Sequence, residues 1–385
     1  MDMLAVNPAE TTAIVPDDPF ALLPSDAVVA VAMSGGVDSS VAAARCAARG
    51  LDVIGITLAM WPTSREQARD RGCCSIDSVE DARRVANHLG IRHFTWNLEA
   101  EFRAEVITGF EDDYANGRTP NPCVRCNERI KFGILLERAQ TIGASHVATG
   151  HYARVGRRGD RVTLHRGRDH RKDQAYTLHR LDQAQLGAAV FPLGATESKL
   201  AVREEAAGLG LLTAAKPDSQ ELCFVGPDLA TDLSRRLAGR FRPGPIVDVD
   251  GRRLGEHRGL PFYTVGQRRR LGLHPDRPDA APLYVLAMDT AENRLVVGPT
   301  EGLGRRSARA GDCRWVGGTP PGEGVACEAQ LRAHGEAHPA RVESAGPVHV
   351  ELSFTTAVSH VSAGQALVLY RGDEVLGGGV VEPAA

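Results

Sequence analysis

A short loop near the N-terminus has the composition of an anion-binding site. The segment Ser34-Gly35-Gly36-Val37-Asp38-Ser39-Ser40 follows an apolar run and precedes an alanine-rich stretch. Its glycines let the backbone approach a ligand closely, and its hydroxyl groups and the following helix N-terminus offer donors to a phosphate. The loop lacks the G-x-x-x-x-G-K-[ST] form of a Walker NTPase and contains no lysine that could reach a γ-phosphate. The pattern therefore predicts a nucleotide site of another type.

Three of the eight cysteines lie in polar motifs. Cys123 and Cys126 belong to the motif T-P-N-P-C-V-R-C-N at residues 119–127, and Cys223 follows in K-P-D-S-Q-E-L-C-F at residues 216–224. The two prolines of the first motif require an extended chain before the helix, so its two thiols lie on one face of a starting helix. A helix N-terminus with basic residues nearby favours the nucleophilic thiolate. The spacing therefore predicts catalytic thiols.

The overall composition is that of a globular protein with two or three domains. The chain has 385 residues, of which 43% are apolar and 24% charged. No stretch approaches the roughly 18 apolar residues of a membrane span, and residues 1–24 lack the basic n-region of a signal peptide. We therefore expect a cytoplasmic protein with no membrane partner, in which a structural disulfide framework is not expected.

The distribution of charge allows nucleic-acid binding only at particular places. The formal net charge is −3, which argues against a protein that coats nucleic acid without specificity. Arginine and lysine are nevertheless concentrated at residues 154–172 and 268–270. Such clusters can hold a phosphate backbone, although solvated loops on an arginine-rich protein are an equally good interpretation of each cluster taken alone.

Alternating strands and helices are predicted around the loop and the first thiol motif. Apolar runs predict strands at residues 28–33, 53–61, 92–98 and 146–149. Helical patterns lie between them at residues 78–89, 100–114 and 129–141, the first opening on a capping box at Ser78. This alternation predicts a parallel sheet with helices on both faces, which is an α/β nucleotide-binding domain.

The second half of the chain has a different pattern. A hairpin is predicted at residues 154–166 and an amphipathic helix at 197–209. Beyond residue 223, short apolar segments alternate with glycine and proline at 245–250, 284–288, 294–298, 349–354 and 366–370. These segments predict a small β-rich central domain followed by a C-terminal β-barrel.

Taken in order, the motifs resemble those of one enzyme family. The loop at residues 34–40 resembles the pyrophosphate-binding loop of the PP-loop ATPase superfamily, whose members cleave ATP between the α and β phosphates. Together with T-G-H-Y at 149–152, K-D-Q at 172–174, G-L-P-F-Y-T-V-G-Q-R at 259–268 and the two cysteine motifs, it resembles the bacterial-type tRNA-specific 2-thiouridylases. The resemblance covers the chain from about residue 28 to residue 379.

The resemblance implies a division of the chain into four parts. Residues 1–25 would be a flexible extension, and residues 26–224 a PP-loop, adenine nucleotide hydrolase-like catalytic domain that binds ATP. Residues 225–288 would form the small central domain, and residues 289–385 a C-terminal β-barrel that binds tRNA.

The resemblance also implies a reaction and its partners. ATP, with Mg²⁺, would adenylate the C2 oxygen of the wobble uridine in the lysine, glutamate and glutamine tRNAs, and sulfur would then displace AMP. Cys223 would carry this sulfur as a persulfide received from a cysteine desulfurase or a relay protein. Cys126 would release the sulfur by attacking the persulfide, which leaves a Cys126–Cys223 disulfide. Asp38 would be the partner of the magnesium-pyrophosphate.

Further site residues follow from matching positions in the family motifs. The implied ATP contacts are Ala32, Met33, Ser34, Gly35, Gly36, Val37, Asp38, Ser39, Leu58 and Gly150. The implied contacts to the target base are Asn121, Pro122 and Cys123, and those to the rest of the tRNA are His151, Lys172, Asp173, Gln174, Arg332 and Gln365. For His151, a buried structural histidine is an equally good interpretation.

Two positions depart from the family pattern. Cys123 stands where the family commonly has an aspartate, and the expected Arg-Tyr pair of the barrel aligns with Arg332-Ala333, so only the arginine contact is carried over. With Cys123 present, the three motif thiols could instead hold an iron–sulfur cluster with one open iron position. A structural zinc site would require a fourth ligand, which the motifs do not supply.

Two other classes of function are left open by the residues. One is a PP-loop ligase acting on a small metabolite, although such an enzyme needs neither paired thiols nor basic tracts beside a barrel. The other is a non-catalytic tRNA-binding module in which the loop only senses nucleotide, and in which replacing Cys126 would leave function intact.

Overall fold

A computed structural model describes residues 12–60, 76–218, 222–226, 228–273, 281–359 and 361–383. Residues 1–11 of the predicted extension and Trp61, the predicted end of the second strand, lie outside these ranges. Within the ranges, no helix is both long and apolar enough to cross a membrane.

The described residues of the first half of the chain form seven strands, and five of them make the parallel sheet that the alternating pattern predicts. In chain order the strands are β1 (Val28–Ala32), β2 (Asp52–Ala59), β3 (Arg92–Asn97), β4 (His146–Ala148), β5 (Ala153–Arg158), β6 (Arg161–Arg166) and β7 (Ala189–Val190). The sheet has the order β3-β2-β1-β4-β7, and every adjacent pair in it is parallel. β5 and β6 form the predicted hairpin outside this sheet.

Helices cover both faces of the sheet. The helices of this domain are Val37–Ala48, Ile76–His88, the consecutive segments Glu99–Phe102, Arg103–Ile107 and Thr108–Ala115, the consecutive segments Pro122–Arg125, Cys126–Ile134 and Leu135–Thr141, and then Ala175–Leu178, Gln183–Gly187 and Lys199–Gly208. Within β1, Val29 and Val31 belong to one apolar core and Ala30 to another. Side chains alternate across a strand, so β1 is buried on both faces, as a central parallel strand must be.

Two helix starts differ from the predicted ones. The second helix begins at Ile76, so Ser78 lies inside its first turn and is not the predicted cap. The helix predicted from residue 129 begins at Pro122, because Asn121 caps it by accepting a hydrogen bond from the Cys123 backbone N–H at 3.1 Å. Proline suits the first helical position, since its missing N–H would have no intrahelical partner there.

A four-stranded sheet forms the middle of the chain. Its strands are β8 (Gly244–Val247), β9 (Arg253–His257), β10 (Tyr284–Asp289) and β11 (Arg294–Gly298), in the order β10-β11-β8-β9. The helix Leu229–Arg236, with Asp228 as its cap, precedes this sheet, and short 3₁₀ helices lie at Leu260–Phe262 and Thr300–Leu303. The predicted domain limit at 288/289 falls at the end of β10 in this sheet; the limits of the domains stay a prediction.

The C-terminal strands close into an antiparallel barrel, which confirms the predicted class of fold. They are β12 (Arg305–Trp315), β13 (Ala326–Gln330), β14 (Ala337–Ala345), β15 (Val350–Val358), β16 (Ala366–Arg371) and β17 (Glu374–Val381). The order is β12-β15-β14-β13-β16-β17, and pairing of β12 with β17 closes the ring. β17 also pairs with β6, so the hairpin of the first half extends the barrel sheet.

The described part of the N-terminal extension contacts the hairpin and the end of the first helix. Ile14 and Arg157 exchange two backbone hydrogen bonds of 2.8 and 2.9 Å. Asp17 pairs with Arg168, and Asp18 with Arg49 at 2.7 Å. From residue 12 onwards the extension is therefore held by backbone pairing and by ion pairs.

Candidate active site

A cleft of about 1560 Å³ opens at the carboxyl ends of the parallel strands. Residues that follow β1, β2 and β4 line it, and this is the edge at which open α/β sheets bind ligands. The helical run that begins at Pro122 and carries Cys123 and Cys126, here called the thiol helix, forms another wall. Residues 222–226 and parts of the barrel complete the cleft. The cleft therefore joins segments that are far apart in the sequence.

Most of the residues predicted for the site meet in this cleft. Those that line it are Ala32, Met33, Ser34, Gly36, Val37, Asp38, Ser39, Leu58, Gly150, Asn121, Pro122, Cys123, Cys126, His151, Lys172, Asp173, Gln174, Cys223 and Gln365. Gly35 and Arg332 do not line it, whereas Ala333 and His334 beside Arg332 do.

The loop after β1 is shaped by its own hydroxyl groups and by one glycine. The Ser39 hydroxyl accepts a hydrogen bond from the Ser34 backbone N–H at 3.1 Å and donates one to the Gly36 carbonyl at 3.1 Å. Gly35 has φ +70°, and a Cβ there would lie 2.1 Å from the Ser78 carbonyl oxygen. Gly35 is thus required for the shape of the loop, although it does not line the cleft.

The start of the first helix faces the same cleft. Gly36 is the N-cap of Val37–Ala48 and supplies no side-chain cap, so the positive end of the helix dipole is open to an anion. Gly150, which follows β4, lies against this turn: a Cβ there would be 2.8 Å from the Asp38 carbonyl carbon and 2.9 Å from the Ser39 nitrogen. The close approach of the two segments requires glycine at position 150.

Asp38 is held by two groups that the sequence motifs do not identify. The Lys199 ammonium lies 2.6 and 2.5 Å from its two carboxylate oxygens, and the Tyr152 hydroxyl donates to it at 2.8 Å. Burial, together with the Asp38 charge, raises the pKa of Tyr152, so this hydroxyl stays protonated and keeps donating. Lys199 is the first residue of its helix, and no local signal marks it as a site residue.

A second lysine reaches the loop from the motif at residues 216–224. Lys216 donates to the Gly35 carbonyl at 2.9 Å and pairs with Asp81 at 2.8 Å. The loop contains no lysine of its own, but the fold brings Lys199 and Lys216 beside it, and both line the cleft. Distant segments thus place two cations beside the loop.

Asp218 connects the lysine cluster to the predicted RNA-binding loop. It lies 3.1 Å from Lys172, 3.2 Å from Lys199 and 2.6 Å from Arg203. Burial alone would raise the pKa of Asp218, but the hydrogen bonds from Lys172 and Lys199 outweigh burial and lower it. The carboxylate is therefore charged at neutral pH and orders the chain five residues before Cys223.

The three motif thiols have different surroundings. Cys123 is exposed in the first turn of the thiol helix, Cys126 is only 8% exposed, and Cys223 is half-buried. Cys126 begins the segment Cys126–Ile134, which is π-helical, a geometry often found at functional sites. Phe224, beside Cys223, packs against Phe110 with ring centroids 5.0 Å apart.

The tRNA-contact residues predicted near the hairpin lie together, but with unequal exposure. Lys172 and Gln174 are exposed, whereas the Asp173 side chain is 5% exposed and accepts hydrogen bonds from the Gly167 and Ala175 backbone N–H groups. Burial raises the pKa of Asp173 despite these bonds. The Asp173 carboxylate therefore holds the loop in shape, while Lys172 pairs with Asp218 and the Gln174 amide oxygen accepts a hydrogen bond from the Tyr152 backbone N–H at 3.1 Å.

His151 is a buried histidine that also lines the cleft. Its Nδ1 lies 2.7 Å from the Thr149 hydroxyl, and its ring packs edge-on against Phe191. Burial first, and the nearby Lys131 charge second, hold the pKa of His151 well below its ordinary value. The imidazole is neutral at physiological pH, so it can take part in hydrogen bonds but adds no positive charge.

Gln365 lies in the bend before β16. Its amide donates to the Thr119 carbonyl at 2.7 Å, and the Thr119 N–H donates to the Ala363 carbonyl at 2.8 Å. The barrel therefore contacts the segment that leads into Asn121 and Pro122.

The thiols do not gather as metal ligands would. Within the described ranges, no group of three or more His, Cys, Asp or Glu side chains is arranged to hold a metal ion. Mg²⁺ is different, because it is usually held by substrate phosphates and only one or two carboxylates, and Asp38 can supply one.

Family models match three successive parts of the chain. The tRNA methyl transferase HUP domain model matches residues 27–227, the tRNA methyl transferase PRC-barrel domain model residues 233–299, and the aminomethyltransferase beta-barrel domain model residues 305–381. The first of these alone covers more than half of the chain.

Curated relatives match the chain over almost its whole length. The tRNA-specific 2-thiouridylase MnmA of Heliobacterium modesticaldum is 46% identical over 364 residues, which are 92% of this chain and 92% of that protein. The protein of the same name from Chloroflexus aurantiacus is 47% identical over 353 residues, or 91% and 97%. That from Acidothermus cellulolyticus is 46% identical over 354 residues, or 92% and 97%.

Proposed function

The chain belongs to the tRNA-specific 2-thiouridylase family, and on this premise we propose that it is an ATP-dependent tRNA-uridine 2-sulfurtransferase. One observation carries the proposal: the pyrophosphate-binding loop, Cys126 and Cys223 line a single cleft. A nucleotide activated in that cleft would stand beside two thiols that can deliver sulfur. The target that we propose is the wobble uridine of the lysine, glutamate and glutamine tRNAs.

ATP binding is assigned to the loop after β1 and the groups around it. The phosphates would meet the N-terminus of the helix Val37–Ala48, and Lys199 and Lys216 would neutralise their charge. Lys199 now pairs with Asp38, so an incoming phosphate would share this ammonium. Asp38 could then hold Mg²⁺, which supplies charge neutralisation to the pyrophosphate when bound.

Adenylation makes the uracil oxygen a leaving group. The C2 oxygen would attack the α-phosphorus of ATP and release pyrophosphate, and AMP would later depart with this oxygen. Asn121, Pro122 and Cys123 line the cleft at the start of the thiol helix, where the base would lie. To reach it, the base must leave the anticodon stack, which single-stranded loops allow.

Sulfur delivery is assigned to Cys223 and Cys126. Cys223 is half-buried, so a protein donor, a cysteine desulfurase or its relay, can reach it to form a persulfide. The Cys126 thiolate would attack the Cys223 sulfur, and the terminal sulfur would leave as hydrosulfide and displace AMP from C2. The two electrons gained by this sulfur come from the two cysteines, which end as a disulfide that an external thiol must reduce.

The remaining predicted residues would bind the tRNA outside the target base. Lys172 and Gln174 are exposed at the mouth of the cleft, and Arg332 lies beside two barrel residues that line it. His151 and Gln365 line the cleft itself. The net charge of −3 makes weak nonspecific RNA binding the expectation, with affinity that falls as salt rises. A cytoplasmic location remains a prediction.

The test measures thiolation of an unmodified lysine tRNA with ATP and a persulfide donor. Wild-type protein should form 2-thiouridine, while Cys126→Ala and Cys223→Ala should release pyrophosphate but form no thiolated product. Cys327→Ala is the matched control, because Cys327 is as buried as Cys126 but lies in the barrel, and it should retain thiolation within about twofold.

The other outcomes of this assay separate the alternatives. If wild-type protein thiolates no tRNA with any donor, the alternative of a ligase acting on a small metabolite would be favoured. Thiolation that survives in Cys126→Ala would contradict the thiol mechanism. Stoichiometric iron in anaerobically purified protein, with Cys123→Ala also inactive, would show that the reaction uses an iron–sulfur cluster and not the persulfide route.

A further inference from the structure

Asn127 follows Cys126 in the thiol helix and lines the same cleft. The residue is 2% exposed. Among the polar side-chain atoms of the described residues, its Oδ1 is one of the few that are buried without a hydrogen-bond partner. A buried acceptor without a donor is unfavourable, so native proteins retain one mainly where a ligand, water or ion completes it.

The orientation of the Asn127 amide is determined by its neighbours. Its Nδ2 donates to the Thr177 carbonyl at 3.1 Å and to the Thr177 hydroxyl at 3.1 Å. A carbonyl can only accept, and the Thr177 hydroxyl donates its own hydrogen to the Gln174 carbonyl at 2.9 Å. Both Nδ2 hydrogens are therefore used, and a flipped amide would lose both bonds. The unpartnered atom is an acceptor.

The chemistry of the substrate supplies one matching donor. Uracil carries an N3–H between its C2 and C4 carbonyls, whereas N3 of cytosine has a lone pair and accepts. A fixed acceptor beside the reacting carbon would bind the uracil edge and repel the cytosine edge. Enzymes that take a base out of the stack commonly read its Watson–Crick edge in this way.

Resting on the proposed function, we infer that Asn127 is a specificity-determining residue whose Oδ1 accepts a hydrogen bond from N3–H of the target uridine. N3 is bonded to C2, so the same contact places the reacting carbon beside the thiol helix. The link from Asn127 through Thr177 to Gln174 also ties this contact to the exposed loop of Lys172.

The experiment uses full-length protein and single-turnover release of pyrophosphate. The substrates are one tRNA transcript with uridine, N3-methyluridine or cytidine at the target position. Wild-type protein should prefer uridine over both analogues by about a hundredfold or more in kcat/KM, because a site built around a hydrogen bond rejects analogues that lack it. Equal rates with uridine and N3-methyluridine would overturn the inference without any variant.

The variant Asn127→Ala should lose about a hundredfold with uridine and little with N3-methyluridine, so the ratio of the two rates falls about a hundredfold from its wild-type value. Asn116→Ala is the matched control, since the Asn116 amide is exposed and only caps the Asp112 carbonyl at 2.8 Å, and its ratio should equal that of the wild type. A loss in Asn127→Ala that is the same for both bases indicates a purely structural role and overturns the inference.

Two further outcomes distinguish the inference from its premise. If wild-type protein releases no pyrophosphate with the uridine tRNA, the proposed function itself fails. If wild-type protein is active and Asn127→Ala changes only the KM for ATP, the acceptor serves the nucleotide and the assignment to the base is wrong.

Discussion

The active-site cleft and the interior of the C-terminal barrel both contain buried cysteines, and burial does not distinguish them. Cys126 in the cleft and Cys327 in the barrel are each 8% exposed. Cys327 packs in the apolar barrel core, where burial raises its pKa to about 11, and burial likewise raises the pKa of Cys313 there to about 12. Cys126 instead borders a cleft that lysines and a helix N-terminus also line. The surroundings of a thiol therefore decide its chemistry.

Ion pairs in the two regions differ in their exposure to solvent. The Asp38–Lys199 pair of the cleft has side chains that are 33% and 13% exposed, and it lies at the loop that we propose binds phosphate. The Arg309–Glu351 pair of the barrel is 62% and 39% exposed and spans two neighbouring strands. Partial burial makes the first pair sensitive to the loss of either charge, whereas solvent screens the second.

The largest expected difference between the regions is in thiol alkylation. At pH 8 a thiol with a pKa of about 11 is roughly 0.1% ionised, so Cys313 and Cys327 should resist iodoacetamide in native protein. Cys223 is half-buried and borders the cleft, so it should be labelled about a few hundredfold faster, which peptide mass spectrometry can follow. In denaturant all eight cysteines should react alike. Similar native rates for Cys223 and Cys327 would remove the contrast between the regions.

The next effect is on the adenylation rate. Lys199→Ala removes the ammonium beside Asp38, and pyrophosphate release should fall about 100- to 1000-fold, the usual cost of losing one charge-stabilising donor. Affinity for tRNA should change little. The control is Arg309→Ala in the barrel, which should keep its rate within about twofold. A modest loss in Lys199→Ala would mean that Lys216 carries the phosphate charge.

A third experiment tests the junction between the two regions. Arg180 is 4% exposed on its side chain and joins Glu128 of the thiol helix, at 2.8 Å, to Asp312 of the barrel, at 3.1 Å. Arg180→Ala leaves Glu128 buried with a weaker set of partners, and the free energy of unfolding in urea should fall by about 3 kcal/mol. Arg253→Ala, which breaks an exposed pair with Glu256, should change it by less than about 1 kcal/mol.

The double variant Arg180→Ala/Glu128→Gln sharpens this result. Removing the buried charge together with its partner should recover part of the lost stability. A double variant that is less stable than Arg180→Ala alone would show that the other arginines beside Glu128 compensate for the loss of Arg180.

The smallest expected effect is a dependence of stability on pH. Burial lowers the pKa of His165, in the hairpin that joins the barrel, and of His179 to about 4 each. The unfolded state, with pKa near 6.5, binds protons first as pH falls, so stability is complete above about pH 6.5 and is lost towards pH 4. Each histidine should cost about 2 kcal/mol between pH 7 and pH 5.

Urea midpoints for wild type and His165→Asn at the two pH values measure this loss. The variant should lose less stability between pH 7 and pH 5 than the wild type does. An equal loss in both proteins would assign the pH dependence to other groups.

Local sequence was enough to predict the elements that carry the site. A glycine-rich turn between an apolar strand and a helix predicts a phosphate loop, because φ/ψ preferences and helix dipoles act over a few residues. The thiol motif predicts a starting helix for the same reason, because the Asn121 cap and a proline at the first helical position are local signals. The class of fold could also be predicted, because the apolar patterns that distinguish strands from helices lie within short segments.

Contacts between distant segments could not be predicted from those patterns. Asp38 meets Lys199 across 161 positions, and Gln365 meets Thr119 across 246. No motif near Lys199 distinguishes it from a solvated lysine at the start of a helix, and nothing in the hairpin at residues 154–166 indicates that it pairs with β17.

The sequence by itself determined which residues could bind phosphate and which thiols are reactive candidates, because these properties belong to short segments. The tertiary structure alone decided that these segments share one cleft, that two lysines lie beside a loop that has no lysine of its own, and that the Asn127 acceptor faces no protein donor among the described residues. The order of the strands and the contacts between domains determine which of these residues meet. Both depend on packing over the whole chain.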